Sequence, residues 1–350
     1  MRRAVRSWTG AIAAALTAAA AFAALPAAGA ATASEASVRN GEIIFLRQQN
    51  VYGQGYLWRV NADGTRLRRV LKSGWVSEAA WSPDGKRLLI VDKCAVKIMS
   101  AAGGKLRTIL RPRTARNSLG QRIDECWWDP TWSPDGKRVA LARCGIGFCQ
   151  GGLALYVVNA NGRGLRQMTQ RECISGRLFT CPGVADWEPD WSPDGEKILF
   201  TRRDESLPDP PYGNSANNAR LYLVDPDGSG LVQLPPEPAR GGRWSPDGSR
   251  ISFGRGLFTT LPPNAVWTGS IAVMNADGSN QRTLVQEDQG GGRSCDGHGG
   301  WGVAWSPDGS KLAYSGPCPQ GVYVMNSDGS GAVRLTRGLH DTVLDWRPLP

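Results

Sequence analysis

Short apolar runs separated by polar turns recur along the chain from about residue 42 to its end. Examples are Arg87 to Val91, Lys197 to Thr201 and Lys311 to Ser315. Runs of this length, bounded by glycine, proline, aspartate and asparagine, are typical of β-strands. No long segment after residue 40 shows the 3.6-residue apolar period of an amphipathic helix. The pattern therefore predicts an all-β fold.

One pentapeptide, Trp-Ser-Pro-Asp-Gly, precedes five of these strands and marks an internal repeat. Its copies begin 51 to 61 residues apart, at Trp81, Trp132, Trp191, Trp244 and Trp305. Its proline presets φ for a type I turn, and its glycine can adopt the left-handed conformation that returns the chain into a hairpin. An Asp-Gly or Asn-Gly turn follows later in each repeat, as at Asn161-Gly162. Each repeat therefore predicts four antiparallel strands, with the tryptophan ending the first.

The two ends of the chain each carry part of a repeat. Glu42 to Arg47 matches the strand that follows each pentapeptide, so the first repeat lacks a first strand of its own. Thr342 to Trp346 is a first strand with nothing after it, and it ends in a broken copy of the motif, Trp346-Arg347-Pro348. Pairing of these two segments would complete one blade and leave no open sheet edge. We therefore predict a six-bladed β-propeller over residues 42–350, with four antiparallel strands per blade, closed by the C-terminal strand joining the N-terminal blade.

The repeat resembles that of the TolB-type six-bladed β-propellers, which carry the same pentapeptide and a later Asp-Gly turn. The resemblance covers residues 42–350, and the ending Trp346-Arg347-Pro348 is similar to the truncated closing motif of those propellers. The mixed α/β domain that precedes the propeller in TolB proper is not expected in this chain. The resemblance also implies that the central channel could hold an ion.

Residues 1–30 have the pattern of a secretion signal, with Arg2, Arg3 and Arg6 ahead of an alanine-rich apolar stretch and the small residues Ala28 to Ala30. A transmembrane anchor is the alternative, but the apolar stretch is short for a span. Residues 31–41 form a short polar leader. We expect a monomeric protein, secreted or retained in the periplasm or cell envelope, with no transmembrane anchor after processing.

The net charge is +10, and it becomes +7 without residues 1–30, which hold three arginines and no acid. Basic residues recur near the fourth strand of the repeat, at Arg66, Arg68, Arg69, Arg107, Arg166, Arg282 and Arg334. They could bind a polyanion such as nucleic acid or a wall polymer, or they could protect an outer edge strand from aggregation. We favour the second interpretation, because no recognition helix is present and the arginines are dispersed. We therefore predict no nucleic-acid partner.

All eight cysteines lie in, or at the ends of, the longer connections. An even number in an exported chain indicates disulfides. The positions of the blades predict the pairs Cys94–Cys126, Cys144–Cys149, Cys173–Cys181 and Cys295–Cys318, with Cys126–Cys144 as the rival in the first region. A metal site is the competing interpretation, but the chain has no Cys-x-x-Cys pair and its two histidines are far apart in sequence.

The strand order places the short turns on one face of the propeller and the long connections on the other. Long insertions confined to one face usually mark the binding face of a repeat protein, although added loop length also costs little stability. The candidate ligand-binding aromatics on or beside these loops are Trp127, Trp128, Trp187, Tyr212, Trp267 and Trp301. The five motif tryptophans are expected to pack between blades instead.

Acidic residues occupy repeated positions on the first strands. Glu78, Asp129 and Glu188 lie three residues before a motif tryptophan, and Asp190 and Asp345 lie one residue before. Because first strands line the channel of a propeller, these carboxylates could ring its mouth and bind a Ca²⁺ ion. Alternatively, they pair with arginines such as Arg243, contact channel water, or form an acid/base pair in a polysaccharide lyase or hydrolase. Nothing singles out one pair, so no catalytic residue and no cofactor other than this Ca²⁺ is predicted.

The sequence favours a secreted, TolB-like β-propeller that acts as a non-enzymatic binding scaffold. Its partner, a protein or a cell-envelope glycan, would dock on the cysteine-stapled face of long loops. The alternative function is that of an extracellular carbohydrate-active lyase or hydrolase that uses the carboxylates at the channel mouth.

Overall fold

The structure is a computed structural model that describes residues 39–48, 55–116, 122–144, 153–169, 184–204, 219–235, 238–258, 267–286, 302–316, 321–338 and 340–349. These residues form 26 β-strands, and none of the described residues is helical. The described part of the chain consequently has no helix long and apolar enough to cross a membrane. The predicted signal at 1–30 and most of the leader lie outside the described residues, whereas residues 39–41 of the leader already belong to the first strand.

The largest sheet contains strands from both ends of the chain. In spatial order they are β26 (Asp341–Leu349), β1 (Arg39–Gln48), β2 (Gly55–Asn61), β4 (Val76–Trp81), β5 (Arg87–Asp92), β6 (Ala95–Ser100) and β7 (Arg107–Leu110), with β3 (Arg68–Arg69) also pairing with β2. A single residue pair, Gly55 with Val76, connects β2 to β4. The sheet is therefore continuous but narrow at its middle.

Four further sheets have four antiparallel strands each, arranged in chain order. They consist of β10 (Trp127–Trp132), β11 (Arg138–Cys144), β12 (Leu153–Asn159) and β13 (Arg166–Gln167); β14 (Val184–Trp191), β15 (Ile198–Asp204), β16 (Ala219–Val224) and β17 (Val232–Gln233); β18 (Arg240–Trp244), β19 (Arg250–Phe258), β20 (Trp267–Asn275) and β21 (Arg282–Gln286); and β22 (Val303–Trp305), β23 (Lys311–Gly316), β24 (Gly321–Asn326) and β25 (Val333–Arg334). A separate hairpin joins β8 (Arg113–Arg116) to β9 (Arg122–Glu125). The prediction of an all-β propeller arrangement of antiparallel sheets is confirmed.

The serine of the pentapeptide organises the turn after each first strand. In the first copy, the Ser82 hydroxyl accepts a hydrogen bond from the N–H of Arg87 at 2.9 Å and donates one to Asp84 at 2.5 Å. The Gly85 N–H donates to the Ser82 carbonyl at 2.8 Å, with Gly85 at a φ of 62°. The equivalent serines at 133, 192, 245 and 306 accept the same backbone bond. All five are buried, so this side chain replaces solvent for the groups that turn the chain.

The motif tryptophans lie between neighbouring sheets. Trp132, for example, shares a hydrophobic cluster with Leu89 of β5 and Leu141 of β11. Arginines stack on four of these rings, with guanidinium-to-ring distances of 4.5 to 4.9 Å. Three come from the preceding sheet, Arg87 on Trp132, Arg138 on Trp191 and Arg250 on Trp305, and Arg347 of β26 stacks on Trp81 of β4. Such contacts combine apolar burial with cation–π attraction. The interpretation of these tryptophans as packing between blades is confirmed.

The two terminal strands are antiparallel neighbours. Ile43 lies opposite Trp346 and Phe45 lies opposite Val343, with register shifts between Asn40 and Ile43 and between Ile44 and Phe45. The contact is close, because the Trp346 ring N–H donates to the Gly41 carbonyl at 3.1 Å. The segments at 42–47 and 342–346 are thus paired as their sequences indicate.

Candidate functional site in the central channel

The first strands of the four-stranded sheets, together with β4 and β26 of the largest sheet, face one central cavity of about 440 Å³. Six strands line this central channel: β4, β10, β14, β18, β22 and β26. Four of the predicted acids, Glu78, Asp129, Asp190 and Asp345, are on its wall together with Arg243. The repeat thus places residues that lie more than 260 positions apart in the sequence on the wall of the same cavity.

Bulges in the first strands aim two of the acids. Asp129 and Glu188 have φ values of 48° and 53°, and each lies at a register shift against the following strand. Gly241 has the same position in β18 and a φ of 63°. Left-handed backbone is uncommon for residues other than glycine, and bulges often redirect side chains near functional sites. The acids at 129 and 188 are therefore held in a conformation that glycine would adopt more easily.

The carboxylates one residue before a motif tryptophan bond to the neighbouring first strand of the channel. Asp345 accepts the N–H of Trp81 and that of Trp346, both at 2.7 Å. Asp190 accepts the N–H of Trp244 at 2.8 Å. Hydrogen bonds from backbone N–H groups stabilise an ionised carboxylate. These two side chains connect β26 with β4 and β14 with β18.

The acids three residues before the tryptophan make a second set of bonds. Asp129 accepts the N–H of Glu188 at 3.1 Å, and the Glu188 carboxylate accepts the Thr201 hydroxyl at 2.9 Å. Thr201 in turn accepts the N–H of Gly241 at 3.0 Å. A chain of hydrogen bonds therefore crosses from β10 through β14 and β15 to β18.

Arg243 is the positive centre of this cluster. It retains some surface toward the channel but is surrounded by protein atoms. Burial opposes its charge, but attraction to Asp190, Glu188, Asp129 and Asp345 outweighs that effect and raises the pKa of Arg243. One guanidinium thus balances charge from several acids, as buried ionised groups require.

Burial also raises the pKa values of the acids themselves. The pKa of Asp345 rises to about 7, and those of Asp129 and Asp190 rise to about 6. The pKa of Glu78 lies well above its usual range because of burial and repulsion by Asp129 and Glu188, which Arg243 only partly offsets. At neutral pH the channel therefore holds a mixture of protonated and ionised carboxyls.

These shifts predict that the protein is more stable at pH 5 than at pH 8. The folded state retains protons that the unfolded chain releases near pH 4, so stability falls as the pH rises through about 6 to 7. Summed over Asp345, Asp129 and Asp190, we expect a decrease on the order of 5 kcal/mol in the free energy of unfolding, measured by urea titration at both pH values. Asp345→Asn keeps an oxygen that can accept the Trp81 N–H, but it cannot ionise. The variant should therefore show a smaller change in the free energy of unfolding between pH 5 and pH 8. An unchanged pH dependence would contradict the raised pKa of Asp345.

Among the described residues, no group of three or more histidine, cysteine, aspartate or glutamate side chains is arranged to hold an ion. Asp190 and Asp345 already bind backbone N–H groups, and Arg243 competes for the same oxygens. Glu78 and Asp345 also have raised pKa values, and Ca²⁺ prefers ionised oxygens. This arrangement fits Ca²⁺ poorly.

The predicted ligand-binding aromatics occupy different environments. Trp127 is 1% exposed and packs edge-on against Tyr156 in the core, with its ring N–H donated to the Arg111 carbonyl at 3.0 Å. Its ring is therefore part of the core and not of an exposed face. Trp128 and Trp187 are half-buried against the hydrophobic cluster between the sheet of β10–β13 and the sheet of β14–β17. Trp267 begins β20, and Tyr212 and Trp301 lie outside the described residues.

Trp75 is an exposed aromatic that the sequence reasoning missed. Its side chain is 52% exposed, and it is the only exposed aromatic among the side chains that the structure describes. It precedes β4, at the end of this strand opposite the Trp-Ser-Pro-Asp-Gly turn, with the Lys93 ammonium 5.9 Å from its ring. Trp75 follows the Ser73-Gly74 turn signal and lies outside the repeated motif positions. These two features could have identified it as a tryptophan in an exposed connection.

A disulfide fastens the same face, since Cys94 and Cys126 are bonded as predicted. Cys94 and its neighbour Lys93 have positive φ values of 61° and 52° in the turn between β5 and β6, and Cys126 lies directly before β10. The bond therefore ties two sheets together at the end of their strands. Cys149, Cys173, Cys181, Cys295 and Cys318 lie outside the described residues, as does the side chain of Cys144, so the other predicted pairs stay predictions.

Removing this disulfide is expected to destabilise the protein by about 2–4 kcal/mol, since it closes a loop with a sequence separation of 32 residues. The variant combines Cys94→Ser with Cys126→Ser, and the measurement is urea unfolding with and without a reductant. The difference between the two proteins without reductant isolates this bond. Any remaining response of the variant to reductant reports on the other cysteines. Equal stability of variant and parent would contradict the expectation.

Comparison with known proteins supports the fold. No protein-family model matches the chain. It is 24% identical over 278 residues to an uncharacterized protein of Agrobacterium fabrum, which covers 75% of this chain and 78% of that protein. TolB from Acinetobacter baumannii superposes with a TM-score of 0.58 at 17% identity, over 88% of this chain. The structure provisionally assigned as TolB from Agrobacterium tumefaciens gives 0.54 at 18% identity, over 89% of this chain and 99% of that one.

The structural neighbours are thus TolB-type β-propellers. This chain spans 66% of the length of the Acinetobacter TolB. At these identities the likeness shows the fold alone.

Proposed function

We propose that the chain is an exported, closed, six-bladed β-propeller that acts as a non-enzymatic binding scaffold in the periplasm or cell envelope. The eight-stranded sheet supports the count, because the single pair between Gly55 and Val76 divides it into two groups of four strands. With the four smaller sheets, this makes six blades. Pairing of β1 with β26 supports closure, as does a hydrophobic cluster that joins Phe45 and Trp346 to Ala304 and Val324.

The hydrogen bonds of the channel carboxylates support the proposal that the protein is a scaffold. Asp345, Asp190 and Asp129 accept backbone N–H groups of neighbouring first strands. Arg243 then neutralises the charge that remains. A general acid/base pair needs free carboxyls within reach of a substrate, whereas these groups connect the blades to one another. These bonds join neighbouring first strands at three places, between β26 and β4, between β10 and β14 and between β14 and β18.

The binding face would be the one that carries the long connections, Trp75 and the Cys94–Cys126 disulfide. The disulfide holds the Lys93-Cys94 turn in position, and a rigid support lowers the entropy lost when a loop binds a partner. Trp75 supplies an exposed aromatic side chain, a residue type enriched at interfaces. The proposed partner is a protein or a cell-envelope glycan that binds one copy of the chain.

The raised pKa values favour a second candidate, an extracellular carbohydrate-active lyase or hydrolase. Asp345 has a pKa of about 7, and it shares the channel with Asp190 and Asp129, whose pKa values are about 6. Acids with such values in a cavity are typical of catalytic sites, although structural clusters produce the same shifts. In that function a protonated carboxyl would donate to the leaving group and an ionised one would act as base.

One experiment separates the two functions. Purified protein is incubated with solubilised envelope proteins and with cell-wall and plant glycans, and both retention on the protein and release of products are measured. We expect retention without product release, and retention that is unchanged in Asp129→Asn and Glu188→Gln. Turnover that these two variants abolish would replace the scaffold with the enzyme. If the protein neither retains nor converts any of this material, both functions fail.

A further inference from the structure

Three charged residues that break the repeat meet where β1 and β26 pair. Glu42 occupies the strand position that is basic in every other repeat, at Arg87, Arg138, Lys197, Arg250 and Lys311. Arg59 occupies a third-strand position that is apolar elsewhere, as at Ile98 and Val157. Arg347 replaces the serine of the pentapeptide. Because the five other repeats agree, these departures are specific to the paired ends of the chain.

The three charges form a compact cluster with Arg68 of β3. Glu42 is 8% exposed, and its carboxylate accepts Arg59 at 3.0 Å and Arg68 at 2.8 Å, while Arg347 lies 3.7 Å away. The Arg59 Nε is buried without a hydrogen-bond partner. Burial lowers the pKa of Arg59, and repulsion by Arg68 and Arg347 acts in the same direction against the attraction of Glu42. One carboxylate is therefore shared by three guanidinium groups.

A cavity of about 500 Å³ opens beside this cluster. Its charged lining residues are Glu42, Asp63, Arg66, Arg68 and Arg347. With Arg59 behind Glu42, the local charge is +2. Asp63 offsets part of this charge, and its Oδ1 also accepts the backbone and hydroxyl groups of Thr65 at 2.9 and 2.6 Å. The cavity thus presents guanidinium donors in excess of carboxylate acceptors.

We propose that this cavity between β1, β3 and β26 is a binding site for a phosphate-type dianion, either a free phosphate or the phosphomonoester headgroup of a lipid. Guanidinium groups suit phosphate oxygens, since their planar donors bind two oxygens at once. A phosphomonoester carries a charge of about −1.5 to −2 at neutral pH, which complements the charge of the cavity. Bound there, the anion would contact Arg68 of β3 and Arg347 of β26 and so hold the two ends of the chain together.

The first test is the melting temperature of the purified protein in potassium phosphate against potassium chloride of equal ionic strength. Equal ionic strength removes general screening from the comparison. We expect 10 mM phosphate to raise the melting temperature by several degrees, because a ligand of the folded state alone stabilises it. Acetate at the same ionic strength should have no such effect. No increase beyond that of chloride would overturn the proposal.

Variants of exposed arginines assign the effect to the cavity. Arg66→Ala and Arg68→Ala should each lower the affinity for phosphate, measured by calorimetry, by about tenfold or more. Arg282 has the place of Arg68 in another repeat, opposite Val273 instead of an arginine, so Arg282→Ala is the matched control and should leave the affinity unchanged. Undiminished affinity in Arg68→Ala would contradict the site, as would an equal loss in Arg282→Ala.

Sedimentation with vesicles distinguishes the two sources of the anion. Vesicles of phosphatidylcholine with phosphatidic acid present phosphomonoesters, and vesicles of phosphatidylcholine alone do not. Sedimentation with the first kind only, lost in Arg68→Ala, supports a lipid headgroup. A phosphate-dependent melting temperature without sedimentation supports a free phosphate. These phosphate and vesicle measurements do not depend on the partner proposed for the face with the long connections, because the cavity lies beside the opposite ends of the strands.

Discussion

Replacing Arg243 by leucine is expected to lower the free energy of unfolding by about 3–5 kcal/mol at pH 7.5, the cost of leaving buried charges without their partner. Arg243 is the common counter-charge of Asp129, Glu188, Asp190 and Asp345. Without it, these acids repel one another in a cavity that water screens poorly. Urea unfolding followed by tryptophan fluorescence measures the loss.

The dependence of this loss on pH identifies its cause. At pH 5 the acids whose pKa values rise to about 6 or 7 are mostly protonated, so the repulsion that follows the loss of Arg243 should be smaller. Because Arg243 lowers the pKa values of Asp129 and Asp190, its removal should also shift acid titration to higher pH. Arg243→Lys keeps the positive charge, so its free energy of unfolding should decrease less than that of the leucine variant. An equal loss at pH 5 and pH 7.5 would assign Arg243 to packing alone.

The repeated turns made much of the fold predictable. Five copies of a motif with a defined turn geometry locate the first strands, and the incomplete repeats at Glu42 and Trp346 indicate that the chain ends pair. The role of the motif serine was not predicted, because a buried hydroxyl that binds the turn cannot be told from an exposed one in sequence. The start of β1 at Arg39 was also missed, since Arg39 and Asn40 are polar and pair only because β26 extends to Leu349.

The site was predictable in its composition and not in its geometry. The repeat position placed Asp190 and Asp345 in the channel, but their bonds to Trp244 and Trp81 depend on the spacing between blades. Nothing in the sequence of β14 indicates that Glu188 adopts a left-handed backbone conformation. The burial of Trp127 is equally absent from the sequence signal, because a shift of one residue in strand register moves a side chain to the other face of the sheet.

Trp346→Ala is expected to cost about 3–5 kcal/mol of the free energy of unfolding, the range for removing a large aromatic side chain from a core. The Trp346 ring is 2% exposed and packs with Ile43 and Phe45 of β1 and with Ala304 of β22. Its ring N–H also donates to Gly41. The substitution therefore opens a cavity between the two ends of the chain and breaks a hydrogen bond that joins them. Urea unfolding of the variant measures this cost.

Trp75→Ala is the matched control, because it removes the same side chain from a position that is 52% exposed. Its cost should stay within about 0.5 kcal/mol, as for surface substitutions in general. Amide exchange gives a second measurement, since only loss of Trp346 should weaken the pairing of β1 with β26. We expect faster exchange at Phe45 and Val343 in Trp346→Ala and unchanged exchange there in Trp75→Ala. Equal stability of the two variants would mean that the terminal strands contribute little to holding the sheets together, and closure of the propeller by β26 would then have to be given up.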